Sequence, residues 1–294
     1  MIYLGLLTRV GGVSFLNSFC RLIPYKGEME VTKTNDCTLK HSWIHRTLVL
    51  LCLVFFGMGV FPQFAFCSVV LFILMLSGLY LRFADVFLLG LTCGLMLLLC
   101  RIGTISKLWP LPTALALGIV LIIGKLTPFT KEAFGWIRRG DWGRQQIATT
   151  TIVAAISGIS LVSWYVIVKP DISDIAGRIA HVHPIALILT GLLFSISNAI
   201  CEEFVWRGMI FDTVERAFSS SAVVIFVQAL SFGMAHLNGF PRGASGIILA
   251  SIYGCIMGYV RQQSKGLLAP IVAHAFADAV IYSILVSVAL ASGT

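Results

Sequence analysis

Charge is scarce in this 294-residue sequence: 12% of the residues are Asp, Glu, Lys or Arg, against about 25% in an average globular domain. With 58% of the residues apolar, the chain has too little polar surface to wet the exterior of a soluble fold, and too much apolar surface for disorder. Acidic residues are the scarcer sign, 13 against 21 basic, for a formal net charge of +8. The cations lie between apolar stretches and do not cluster on one polar domain, so nucleic acid is not expected as a partner. CxxC pairs and Cys/His clusters are missing, and the eight cysteines imply neither a zinc site nor a disulfide scaffold. Cys52, Cys67, Cys93, Cys100, Cys201 and Cys255 sit in apolar runs, where a thiol behaves as a small hydrophobe. Ten-residue segments of alternating hydrophobicity are absent too, which excludes a membrane β-barrel.

What the sequence has is long apolar runs, close to the 17–25 residues (roughly) that cross a bilayer. Spans are expected near 46–61, 64–81, 83–100, 108–126, 147–168, 184–201, 222–237, 246–260 and 267–288. The first two read equally as one re-entrant pair broken at Pro62. The expected fold class is all-α, a polytopic helical membrane bundle of about eight or nine transmembrane helices. Three regions follow: an N-terminal segment 1–45, helices and a basic linker over 46–145, and a core over 146–294. Residues 1–19 are apolar but interrupted by Arg9, with no small-residue cleavage site. They read as an extra anchor or as translated leader, with Met29 as an alternative start.

The loops set an orientation. Arg21, Lys26, Lys33, Lys40 and Arg46 precede the first span, and Lys131, Arg138, Arg139 and Arg144 follow the fourth. By alternation Arg207, Arg216, Arg261 and Lys265 share their side, while the opposite loops hold only Arg101, Lys107, Lys169, Arg178 and Arg242. The positive-inside rule therefore predicts a multi-pass plasma-membrane protein with a cytoplasmic N-terminus, and a site opening in the cytoplasmic half of the bilayer. The Trp-bearing stretch 134–142 is expected along the membrane surface.

Ionisable side chains concentrate late in the chain. From Pro184 onward the spans carry Asn198, Glu202, Glu203, Arg207, His236, His274 and Asp278. Such groups cost several kcal/mol in a membrane segment unless they face a partner or a wet cavity, so they are functional candidates. Glu203 and Arg207 are four apart and can pair on one helix face, with Glu202 turned about 100° away and free. The plainer reading is a helix end that has become polar. Phe232 stands one turn before His236 and can pack under its ring, although a lone histidine near a helix end is more often a cap. His274 and Asp278 again share a face; the Asp can orient the histidine, both can point at one ligand, or the pair can be polar glue between helices. Gly246, Ala250, Gly254 and Gly258 form a stripe of small residues that lets neighbouring backbones approach, a packing device.

In order, EExxxR, FxxxH and HxxxD on separate helices resemble the three motifs of the CAAX-protease and bacteriocin-processing (Abi-type) family of intramembrane glutamic proteases, over roughly 184–288. The resemblance implies an intramembrane endopeptidase that cleaves a membrane-associated or C-terminal-signal protein with a glutamate-activated water, without a cofactor. It assigns Glu202 as general base, His236 to hold the water, and His274 and position 278 to the oxyanion, with Glu203 and Arg207 in support. A carboxylate removed from water is a base useful near neutral pH, which agrees. Position 278 is often Asn in the family and is Asp278 here, and an ionised Asp cannot donate to an oxyanion. Two alternatives use the same residues. Glu202, His236 and His274 would make a zinc set of two His and one carboxylate, although no HExxH spacing accompanies them. A non-catalytic membrane immunity or scaffold protein would need none of them together. A transporter is disfavoured, since no repeat relates the two halves.

Overall fold

In lipid an isolated segment satisfies its backbone N–H and C=O groups only as a helix, and these apolar runs do so. The computed structural model describes residues 36–177, 179 and 182–292, and among them every regular element is helical. The expectations about residues 1–35 lie outside the described residues. The account concerns the unit Lys40–Thr294; of the unit Met1–Leu39 only 36–39 are described, at the start of the first helix.

The main helices are α1 (Asp36–Gly59), α2 (Cys67–Tyr80), α3 (Ala84–Leu99), α4 (Leu111–Leu126), α5 (Arg144–Val168), α6 (Pro184–Glu203), α7 (Phe211–Ala217), α8 (Ser221–Ala235), α9 (Gly243–Ser264) and α10 (Leu268–Ser292). Among the described residues five segments are long and apolar enough to cross a membrane: Ser42–Gly59, Arg144–Val168, Ile185–Ala217, Gly243–Ser264 and Leu268–Ala291. The apolar helices α2, α3, α4 and α8 are shorter, at 14 to 16 residues.

The segment carrying the glutamates departs from its sequence reading. A break in hydropathy at Glu202 and Glu203 suggested a span ending at 201. The helix instead continues through a π-helical turn, Phe204–Ile210, into α7, with right-handed helical backbone at each junction. The two glutamates are thus mid-helix, not at a polar end. Wide turns of this kind recur at functional sites because they shift the face a side chain presents.

Packing places α8 on α9, α2 on α3, and α10 against both α6 and α5. The small-residue stripe serves the α8–α9 contact: a Cβ on Gly254 would meet Ala229 Cα at 2.9 Å. Within the Trp-bearing stretch Ile137 is exposed, while Trp136 is buried, its ring 5.5 Å from that of Phe204 and seated where Gly208 leaves no side chain. Next to it Gly140, at φ +79°, touches the α9–α10 turn, where Asp141 N donates to Ser264 O and Leu267 N to Arg138 O.

These contacts define one end of the bundle. Arg216 donates to Glu132 O and Arg46 to Ala217 O, so the loops around 46, 131–144, 216 and 264–268 gather there. They carry Arg46, Lys131, Arg138, Arg139, Arg144, Arg216 and Lys265.

Candidate active site

Glu202 and Glu203 are adjacent, Arg207 stands one turn on, and the three are 5%, 0% and 0% exposed. Charges this deep are tolerated only with partners. Arg207 donates through one terminal nitrogen to Glu203 Oε1 at 3.0 Å, and its guanidinium lies over Phe232, 4.4 Å from the ring centre. His274 Nδ1 donates to the same oxygen at 2.6 Å. Glu203 therefore bridges the arginine to the histidine and fixes the imidazole.

Asp278, one of whose open readings was to orient His274, makes no hydrogen bond to the ring. The two do share a face, but Asp278 Oδ1 stands 3.7 Å from Nε2, beyond a hydrogen bond. Nδ1 and Nε2 lie on different edges of the ring, and α10 meets α6 with Nδ1 toward Glu203. Nε2 is left between Asp278 and Glu202, whose Oε2 is 3.6 Å away and has no hydrogen-bond partner.

His236 caps α8 as the spacing suggested, and more. Its ring packs 4.5 Å from that of Phe232, and Nδ1 donates to the Phe232 carbonyl at 3.0 Å. With Nδ1 committed as donor, neutral His236 keeps a lone pair on Nε2. Phe232 is shared, since its ring also stands edge-on to His274 at 6.0 Å.

Glu202, His236, His274 and Asp278 line one cavity of about 1060 Å³. Glu203 and Arg207 stand behind its wall. Its rim is made by the loops near 59–65, 100–109, 174–179 and 238–242. Arg101 donates to Gly59 O, Asn238 to Val60 O, and Arg242 to Asp174. Near this rim the Ser173 hydroxyl and backbone N–H hold the Asp171 carboxyl below its ordinary range, so it stays ionised. The mouth is thus built from the loops opposite the basic ones. Among the described residues no group of three His, Cys, Asp or Glu is disposed to hold a metal ion.

Residues 184–280 match the family model Rce1-like, described as Type II CAAX prenyl endopeptidase Rce1-like. The resemblance is to the CAAX proteases. No curated protein and no solved structure matches the chain. The matched stretch contains all six candidate positions.

Two residues of the site were given no role in the sequence reading: Asn198, named there only among the polar candidates, and Trp109, not named at all. Asn198 Nδ2 donates to Asp278 Oδ2 at 3.0 Å, and Trp109 Nε1 donates to Asn198 Oδ1 at 2.6 Å. Asn198 stands four residues before Glu202, a local signal as clear as the others. Trp109 gives none, because its contact spans 89 residues of chain.

Proposed function

We propose that this chain is an intramembrane endopeptidase in which Glu202 activates the attacking water. The observation that carries the reading is the division of labour between adjacent carboxylates. Glu203 is bound behind the wall by Arg207 and His274 through one oxygen, while Glu202 is the glutamate that lines the cavity. As the water oxygen bonds to the scissile carbonyl carbon, Glu202 takes one of its protons and the carbonyl π pair moves to oxygen. The His236 Nε2 lone pair accepts the water's other hydrogen and aims the attack. The Nε2 edge of His274 faces the forming oxyanion. Collapse breaks the C–N bond, and the proton held by Glu202 passes to the leaving amine.

The substrate is a membrane-associated protein or one bearing a C-terminal signal, a class that includes the prenylated CAAX ends of the matching family's description. The protein sits in the plasma membrane with its basic end, and hence its N-terminus, in the cytoplasm. The cavity mouth then faces the other side.

Glu202→Gln keeps the volume and removes the base. Membrane proteomes of cells expressing parent and Glu202→Gln should differ by specific cleavage products, lost in the variant at equal expression. A variant with the parent's products would overturn the base assignment. The cleavages should also survive a strong zinc chelator. Their loss on chelation and return with zinc would shift the reading to a Glu202, His236 and His274 metal set, and an unchanged proteome to a non-catalytic scaffold.

A further inference from the structure

We propose that Asn198, not Asp278, supplies the amide N–H that receives the scissile carbonyl oxygen. The inference rests on the peptidase reading above.

Asn198 is 4% exposed and lines the cavity one helical turn from Glu202. Its orientation is set by its partners. Trp109 Nε1 can only donate, so it requires the amide oxygen; the Asp278 carboxylate accepts, so it requires the amide nitrogen. A flipped amide would set N–H against N–H and oxygen against carboxylate. The nitrogen is therefore held on the carboxylate side.

That nitrogen carries two hydrogens, and one bond to Asp278 uses one of them. The other belongs to a residue that lines the same cavity as Glu202, four positions before it on α6. Attack requires the carbonyl carbon to stand about 3 Å from the water that Glu202 activates. A donor on the same wall, one helical turn from Glu202, is within reach of the oxygen on that carbon. Asp278 is an acceptor in this arrangement, which suits the carboxylate and not the donor role its position would otherwise be given. The amide and the carboxylate have exchanged helices: the family's common amide position on α10 holds the carboxylate, and α6 carries the amide. His274 Nε2, 3.7 Å from Asp278, would face the same oxygen from α10.

The exchange can be reversed. Cleavage events that disappear in Glu202→Gln serve as the readout, their rates followed in membranes after pulse labelling. Asn198→Asp removes the donor and should slow them by about 10²–10³, the usual loss for one oxyanion donor. Asn198→Asp combined with Asp278→Asn returns an amide to the pair and should recover most of that loss. Asn198→Ala should lower kcat with little change in KM, because a transition-state contact is removed and not a binding one. Thermal unfolding in detergent checks that each variant folds. A folded double variant as slow as Asn198→Asp, or an Asn198→Ala protein as fast as the parent, would overturn the proposal. Should the double variant not fold, Asn198→Ala alone decides it. A Glu202→Gln protein with the parent's cleavages would instead mean that the peptidase reading itself had failed.

Discussion

Glu203 has the most demanding position in the molecule, because one of its oxygens accepts from both Arg207 and His274 with no exposure to solvent. Removing one member of such a group strands the rest. Truncating a buried ion-pair partner costs about 3–5 kcal/mol, chiefly through the charge left behind. Glu203→Ala should therefore lower the unfolding midpoint in detergent far more than Glu203→Gln, whose amide oxygen can still accept from both donors. A Glu203→Ala protein that melts with the parent would show the bridge to be dispensable. The pairing of Glu203 with Arg207 was legible in the sequence because four-residue spacing is a local property of a helix. The bond to His274 was not, since it joins residues 71 apart and depends on how α10 is rotated against α6. The choice among the readings of Asp278 was not legible for the same reason: spacing shows which residues share a face, not which ring nitrogen a neighbouring helix will meet.

Between elements, the closest approach that matters to the site is α8 on α9, since α8 carries Phe232 and His236 while Tyr253 of α9 stands edge-on to His274 at 5.7 Å. Gly254 permits it. A side chain there would drive into the Ala229 backbone, with 3.2 Å to its carbonyl oxygen, and backbone cannot rotate away as a long side chain would. Gly254→Val should destabilise the protein by at least the 1–3 kcal/mol (approximately) typical of overpacking. It should also cut cleavage by moving His236, whereas Gly103→Ala, which meets nothing within 4 Å, should leave stability unchanged. Thermal unfolding of the two variants beside the parent gives the comparison, and equal midpoints would remove Gly254 from the packing account. At this scale the sequence announced its helices well, because hydropathy reports each run separately. It misjudged the end of α6, because a buried carboxylate reads as a terminus to any local measure. Only the partners on α10 and in the π-helical turn show why the helix can carry it onward.

For the whole molecule the deciding asymmetry is between a basic end and an end that bears the cavity mouth. Single cysteines at Arg139 or Asp141, with Cys100 and the other native thiols replaced, should react with a membrane-impermeant maleimide only from the cytoplasmic side. Cysteines at Asp171 or Asp174 should react only from outside. The reverse labelling would turn the protein over and bring its mouth to the cytoplasm. The loop charges made this axis readable from sequence, yet not which end was hollow, since the cavity is enclosed by helices far apart in the chain. The short helices add a second asymmetry. At 1.5 Å per residue, α2, α3, α4 and α8 reach only about 21 to 24 Å, against roughly 30 Å of hydrocarbon. By contrast α5 and α10, at 25 residues each, are long enough to cross it without thinning. Lipid that met a short helix at both ends would have to thin beside it, and headgroup water would come correspondingly closer to the buried groups it flanks.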